Sequence, residues 1–392
     1  MAMEKNCDVL IIGAGPAGSS AARSAAMHGA KTIFIDKKEE IGKPVQCAEG
    51  IGAYLFPYLP FQIPNEHLVW KMDGMYFQAD DIAIEKKGDF WKSYSCDRRN
   101  FDRWLSHLAT EKGANLIKKA ELTDLELDEE NTVKKAIVHK DKKAIEIKPQ
   151  TVIAADGVES TVLKLLKLYH PKNGDLAEVY SWEMKNLDLY KPNLEQVFTG
   201  DFTPSGYAYI FPKGKHTANI GVGGIYPEKK LETYFEEFLE NPHVKKQVKN
   251  ADFVIEKTKK AVWNDLTKYQ IIQNVILSGD VANHNLKPFI EGILPAIISG
   301  NAAGKTSADF IKNKKNKLSY SKTLNEEFIK FIKDSEAIKE ITTEILKQKN
   351  KKKYLQFFGI ITELLHFQNL MKTYEMSYEE IKSMIIGMKN GL

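Results

Sequence analysis

Three short apolar runs set the frame of this chain: Val9-Leu10-Ile11-Ile12, Thr151-Val152-Ile153-Ala154-Ala155 and Val275-Ile276-Leu277. Runs this brief, with almost no polar alternate position, predict strands buried on both faces, as in a parallel sheet covered by helices. A further strand, Lys31-Thr32-Ile33-Phe34-Ile35, ends on Asp36. A small-residue helix is expected from about Pro16 to His28, with Gly29 as its C-cap. Residues 97 to 113 read as a helix closed by Gly113, Ser160 as an N-cap, and Ile297 to Ile311 as another helix. The charged stretch from Ala120 to Lys148 reads as a hairpin-like, small peripheral sheet.

From about 166 to 265 the pattern shifts to alternating strands rich in aromatics. Tyr207, Tyr209 and Phe211 lie two apart, so on a strand they share one face. Such a face is a wall for an apolar ligand, or simply a sheet core. Ala218-Asn219-Ile220-Gly221-Val222-Gly223-Gly224 reads as a second strand of the same sheet, its glycines leaving room for a ligand. The last eighty residues are Lys-rich and helical. Lys312, Lys314, Lys315 and Lys317, then Lys347, Lys349, Lys351, Lys352 and Lys353, precede the apolar segment from Tyr354 to Ile361. Basic clusters beside an apolar helix can dock on anionic lipid, although a charge run is more often a solvated face.

The chemistry starts at Gly13-Ala14-Gly15-Pro16-Ala17-Gly18, a G-x-G-x-x-G between strand and helix. Gly13 allows the tight turn, Gly15 lets backbone approach a pyrophosphate, and Gly18 lets helix and sheet pack closely. The helix N-terminus attracts phosphate charge. Asp36 lies 18 residues after Gly18, where it can accept the hydroxyls of an adenosine ribose. The motif implies a dinucleotide without deciding which one.

Composition narrows the class. The 392 residues include 43% hydrophobic and 28% charged, with net charge +4, so nothing global calls for nucleic acid. Cys7, Cys47 and Cys96 are too few and scattered for a disulfide framework or a metal site, and fit a reducing cytoplasm. No signal peptide or transmembrane run is expected. The expected localisation is cytoplasmic, with peripheral membrane contact as the extension the lysines suggest.

The motif segment, Asp97-Arg98-Arg99-Asn100-Phe101-Asp102-Arg103-Trp104-Leu105, Ala155-Asp156-Gly157-Val158-Glu159-Ser160 and Gly279-Asp280 together resemble the glutathione-reductase-type flavoproteins related to aromatic hydroxylases. Within these, the chain looks most like the geranylgeranyl reductase family. Two segments carry that likeness: Gly42-Lys43-Pro44-Val45-Gln46-Cys47-Ala48-Glu49-Gly50, and Thr203 to Gly214, which is similar to a P-x-x-Y-x-W-x-F-P motif with Tyr209 for Trp. The resemblance implies an α/β fold: a Rossmann-type FAD-binding domain (1–60, 95–165 and 266–311), a discontinuous α+β substrate-binding domain with an antiparallel sheet (61–94 and 166–265) and a C-terminal helical region (312–392).

It also implies FAD, held by Gly13, Gly15, Pro16, Ala17, Gly18, Asp36, Lys37, Cys47, Arg98, Asp156, Gly157, Gly279, Asp280, Gly292 and Ile293. Cys47 and Glu49 are the implied catalytic groups: a thiol or carboxylic acid there would donate a proton while flavin gives hydride to the neighbouring carbon. Tyr207, Tyr209 and Phe211 would line the site of a prenyl lipid. No second dinucleotide motif sits in a strand–turn–helix context, so ferredoxin or docked NAD(P)H is the expected donor. The alternatives are a monooxygenase of the aromatic-hydroxylase type and a redox-inactive dinucleotide- or lipid-binding paralogue. The latter is prompted by the segment from Val281 to Ile293, where only Gly292 of an expected glycine triplet stands and Glu291 replaces a glycine.

Overall fold

The computed structural model describes residues 3–346, apart from 80, 81, 142, 315–317, 321–323 and 325. In chain order the first unit is β1 (Met3–Ile12), α1 (Pro16–Met27) and β2 (Thr32–Asp36). Then come the short β3 (Gly50–Gly52), β4 (Trp70–Met72), β5 (Gly74–Ala79), β6 (Ile82–Lys87) and β7 (Ser93–Ser95), followed by α2 (Arg98–Glu111). Next are β8 (Asn115–Lys118), β9 (Ala120–Leu127), β10 (Val133–Lys140), β11 (Lys143–Ala154) and α3 (Thr161–Leu165). The middle contains β12 (Leu176–Lys185), β13 (Glu195–Thr199), β14 (Gly206–Gly214), β15 (Thr217–Gly224), α4 (Leu231–Leu239), α5 (Pro242–Val248) and β16 (Asp252–Val262). The described chain closes with β17 (Ile271–Ile272), β18 (Val275–Leu277), α6 (Ile293–Lys312) and α7 (Glu326–Leu346).

An eight-stranded sheet has the order β17-β18-β11-β1-β2-β8, with β10 and β9 branching from β11. Its centre is parallel: β1 pairs with β2 and β11, and β11 with β18. Val9, Leu10, Ile11, Val152, Ile153, Val275 and Ile276 are fully buried there, as uninterrupted apolar runs require. One face carries α1 and α6, which touch backbone to backbone. A Cβ on Gly300 would stand 2.1 Å from the Ala17 carbonyl oxygen, and one on Gly304 2.2 Å from that of Ala21. The Ser20 hydroxyl ties the pair by donating to the Ile297 carbonyl at 2.7 Å.

The second layer is a seven-stranded sheet in the order β16-β12-β15-β14-β13-β5-β6. Its alternation is two-sided. Ala208 and Ile210 of β14 face a core with α4 and α5, including Phe235 and Phe238. Tyr209 and Phe211 face the opposite way, with Met75, Phe77 and Trp263. A three-stranded sheet, β3-β7-β4, lies between the two large ones in sequence.

Two expectations need correction. The stretch from Ala120 to Lys148 is not a separate peripheral sheet, because Lys143–Ala154 is one strand that pairs with β10 and then runs on beside β1. And α6 begins at Ile293, four residues before Ile297, with Pro295 in its first turn. Proline is tolerated there because a first-turn N–H has no intrahelical partner.

Candidate functional site

The two large sheets enclose a cavity of about 1070 Å³. Its floor is the carboxyl end of the parallel strands, where open α/β sheets place ligands. Gly13, Gly15, Pro16, Ala17, Asp36, Lys37, Cys47, Glu49, Arg98, Asp156, Gly157, Gly279, Asp280, Gly292, Ile293, Tyr207, Tyr209 and Phe211 all line it. Gly18 does not, and its place is structural: a Cβ there would meet the Gly13 carbonyl oxygen at 1.8 Å.

Several groups fit a dinucleotide. Gly15 caps α1 and has no atom within 4 Å of a would-be Cβ, so the helix N-terminus opens on free space. Asp36 accepts from the Ala14 amide through Oδ2 and the Lys38 amide through Oδ1, both at 2.9 Å. A carboxylate oxygen has two lone pairs, so each retains one for a ribose hydroxyl. Asp156 accepts from the Val162 amide through Oδ2 at 3.0 Å, while its buried Oδ1 has no hydrogen-bond partner among the described residues. Burial pushes that carboxyl above its ordinary range. An orphaned acceptor in a cavity wall suits a ligand donor. Arg98 forks onto Asp102 through Nε and Nη2, both at 2.7 Å, which leaves Nη1 outside the fork.

Glu49 is 1% exposed and sits at φ +67, a left-handed backbone that a non-glycine residue adopts at some energetic cost. Its Oε1 accepts from the Arg98 amide at 2.9 Å. Oε2 accepts from Lys213 Nζ at 2.7 Å, Asn219 Nδ2 at 2.9 Å and Lys257 Nζ at 3.0 Å. Lys213 also donates to Glu183 at 2.9 Å, and Lys257 to the Cys47 carbonyl at 3.2 Å. Burial by itself would raise the Glu49 carboxyl, but Lys257 and Lys213 outweigh it and hold the group at about 2. The group is therefore a locked carboxylate, and this geometry does not carry the expectation that Glu49 donates a proton. What it does is fasten the Cys47 segment to β14, β15 and β16. The Cys47 sulfur accepts from the Glu49 amide at 3.2 Å.

Lys213, Asn219, Glu183 and Lys257 are site residues that sequence reasoning missed. Lys257 is 2% exposed yet stands among Lys259 and Lys260 on an edge strand, where its neighbours read as solvated. Glu195 of β13 is another: it is 7% exposed and lines the cavity.

Glu291 lines the cavity beside the start of α6 and is tied to β3 and the turn after it. It accepts from the Gly52 amide at 2.8 Å and the Tyr54 hydroxyl at 2.7 Å, and burial raises its carboxyl above the usual range. The loop itself is pinned by paired backbone hydrogen bonds between Leu286 and Glu291, both at 2.9 Å. It is also pinned by buried Lys287, whose Nζ donates to Asn283 at 2.5 Å and whose amide donates to Ser335 of α7.

Tyr207, Tyr209 and Phe211 form a continuous wall, with ring centroids 6.2 Å and 4.7 Å apart along the series. The Tyr207 hydroxyl donates to the Phe289 carbonyl at 2.9 Å. Burial pushes both tyrosines far above their ordinary range, so they remain neutral phenols. Among the described residues no group of three or more His, Cys, Asp and Glu could hold a metal. Nor is any helix among them long and apolar enough to cross a membrane. The basic run from Lys347 to Lys353 and the apolar segment after it lie outside the described residues, as do Lys315 and Lys317.

Comparisons with known proteins agree with this architecture. Residues 175–262 match the model of the geranylgeranyl reductase catalytic domain. Residues 8–197 match that of glucose inhibited division protein A. The chain is 34% identical to a digeranylgeranylglycerophospholipid reductase of Methanococcus vannielii, over 80% of each chain. It is also 34% identical to that of Methanococcus aeolicus, over 79% of each. The fold matches a geranylgeranyl bacteriochlorophyll reductase-like protein from Thermoplasma acidophilum, with TM-score 0.79 and 23% identity, covering 97% of this chain and 99% of that one.

Proposed function

The chain belongs to the digeranylgeranylglycerophospholipid reductase family and is an FAD-dependent oxidoreductase; from that premise we propose that it saturates carbon–carbon double bonds in the geranylgeranyl chains of a lipid. The observation that carries this reading is the single cavity that joins a dinucleotide cradle to an aromatic wall. At about 1070 Å³ it exceeds a typical small-ligand pocket, as a dinucleotide plus a prenyl chain requires.

When bound and reduced, FAD supplies the hydride. The chain's own residues do the rest. Gly13, Gly15, Pro16 and Ala17 present backbone to the pyrophosphate, and Arg98 adds positive charge. Asp36 and Lys37 take the adenosine end. Gly279 and Asp280 take the ribityl chain, while Asp156 and Gly157, and the Gly292–Ile293 start of α6, border the flavin. Tyr207, Tyr209 and Phe211 hold the prenyl chain and exclude water. Cys47 stands at the junction of cradle and wall, fixed by the Glu49 clamp.

The reducing equivalents come from an external donor, ferredoxin or NAD(P)H. A lipid substrate brings the protein to a membrane surface as a peripheral visitor. The test is anaerobic incubation of the reduced protein with geranylgeranyl glycerophospholipid, followed by mass spectrometry. Lipid that gains two hydrogens per double bond supports the reading, and unchanged lipid refutes it.

A further inference from the structure

Reduction of an isolated double bond needs a proton as well as a hydride, and the clamp around Glu49 removes one source. Glu195 is different in kind. It begins β13 and shares a face with Val197, which packs with Met75, Phe77, Tyr209 and Phe211. Its Oε1 lies 2.9 Å from where a Cβ on Gly50 would stand, and the Phe211 ring borders the same spot at 3.5 Å. The carboxyl is therefore set into the aromatic wall, against the segment that follows Cys47.

Resting on the reductase reading above, we propose that Glu195 is the acid that protonates the substrate alkene. One alkene carbon takes the hydride with its electron pair, and the π bond breaks. The other carbon takes the proton from the Glu195 carboxyl, whose O–H bond breaks to leave a carboxylate. The carboxylate regains a proton from water after product leaves, so the net change is one hydride plus one proton per double bond.

The surroundings keep the proton in place. Burial acts first and the Glu291 carboxylate second, and together they push Glu195 up to about 8. Tyr54 and Tyr207 line the same cavity and feel the charge of Glu195, and Ser93 supplies a neutral hydroxyl. A carboxylic acid still protonated near neutral pH in an apolar pocket is suited to general-acid work.

The experiment uses the full chain loaded with FAD. Reduced protein is mixed anaerobically with digeranylgeranyl glycerophospholipid in detergent, and flavin reoxidation is followed against pH. In the native protein the rate falls above pH about 8. Glu195→Gln slows reoxidation about 10²-fold or more and abolishes that fall, whereas Glu195→Asp restores it. Glu291→Gln removes a like charge and moves the fall to lower pH. Difference infrared spectra of the cofactor-free protein give an independent readout: carboxylic acid absorbance at neutral pH that Glu195→Gln lowers relative to the native protein. Circular dichroism and flavin content establish that each variant is folded. A native protein that turns over lipid while Glu195→Gln matches its rate and pH profile overturns the proposal. So does a carboxylic acid band whose intensity Glu195→Gln leaves unchanged. A native protein that never reoxidises with lipid overturns the reductase reading itself.

Discussion

Replacing Glu49 with Gln tests the buried clamp, and its magnitude follows from the charge balance. The carboxyl sits at about 2 instead of an ordinary 4.5 because Lys257 and Lys213 outweigh its burial. The gap corresponds to about 3 kcal/mol of stability at neutral pH. A group whose folded value is depressed stabilises above its unfolded value, and that contribution is lost as pH falls through 4.5 towards 2. By about pH 4, about 1 kcal/mol of it is gone. Glu49→Gln also leaves Lys257 buried with Asn219 and the Cys47 carbonyl as its close acceptors and only Glu183, at 3.9 Å, as a counter-charge, and a buried charge that has lost its nearest carboxylate adds to the loss. Urea unfolding of both proteins is the assay. The variant is expected to be less stable by about 3 kcal/mol or more at neutral pH, and the difference narrows by about 1 kcal/mol near pH 4. A difference under about 1 kcal/mol, the range of an exposed ion pair, or one that does not change with pH, refutes the reasoning.

Other consequences follow from single contacts. Gly18→Val places atoms where the Gly13 carbonyl oxygen stands 1.8 Å from the Cβ, so the purified variant is expected to lack bound flavin in its visible spectrum. Phe211→Ala opens the wall that Phe211 shares with Tyr209, costs about 3 kcal/mol in unfolding free energy, and weakens kcat/KM for lipid more than it lowers flavin content. Lys287 is 3% exposed, and burial holds its ammonium down at about 8. The unfolded chain therefore binds more protons between 8 and 10.5, and stability rises with pH across that window. Lys287→Met is expected to abolish that rise, measured by thermal unfolding against pH.

How much of this was legible in the sequence depended on how local each feature is. Gly13, Gly15 and Asp36 lie in one βαβ unit, so spacing alone places them around a common ligand. Tyr207, Tyr209 and Phe211 occupy one strand, so period two gives their shared face, although only the fold shows that this face meets the cavity. The Glu49 clamp joins four separate segments, and nothing about Lys257 among Lys259 and Lys260 marks it as buried. The stretch to Lys148 and the run from Thr151 read as two elements, yet Lys143–Ala154 is one strand, with Pro149 in register beside Cys7. Glu291 was conspicuous as a carboxylate in place of glycine. Its resolution, a hydrogen bond to Tyr54 some 237 residues away, lies beyond any local pattern.

The central claim is that reduced flavin in this chain is consumed by a prenyl double bond. The most direct measurement is the visible absorbance of the FAD-loaded, photoreduced protein under argon as digeranylgeranyl glycerophospholipid is added. Return of the oxidised flavin bands, in proportion to the lipid added and absent with the fully saturated lipid, is the predicted result. A spectrum that stays reduced with the unsaturated lipid, yet reoxidises at once with air, contradicts the account.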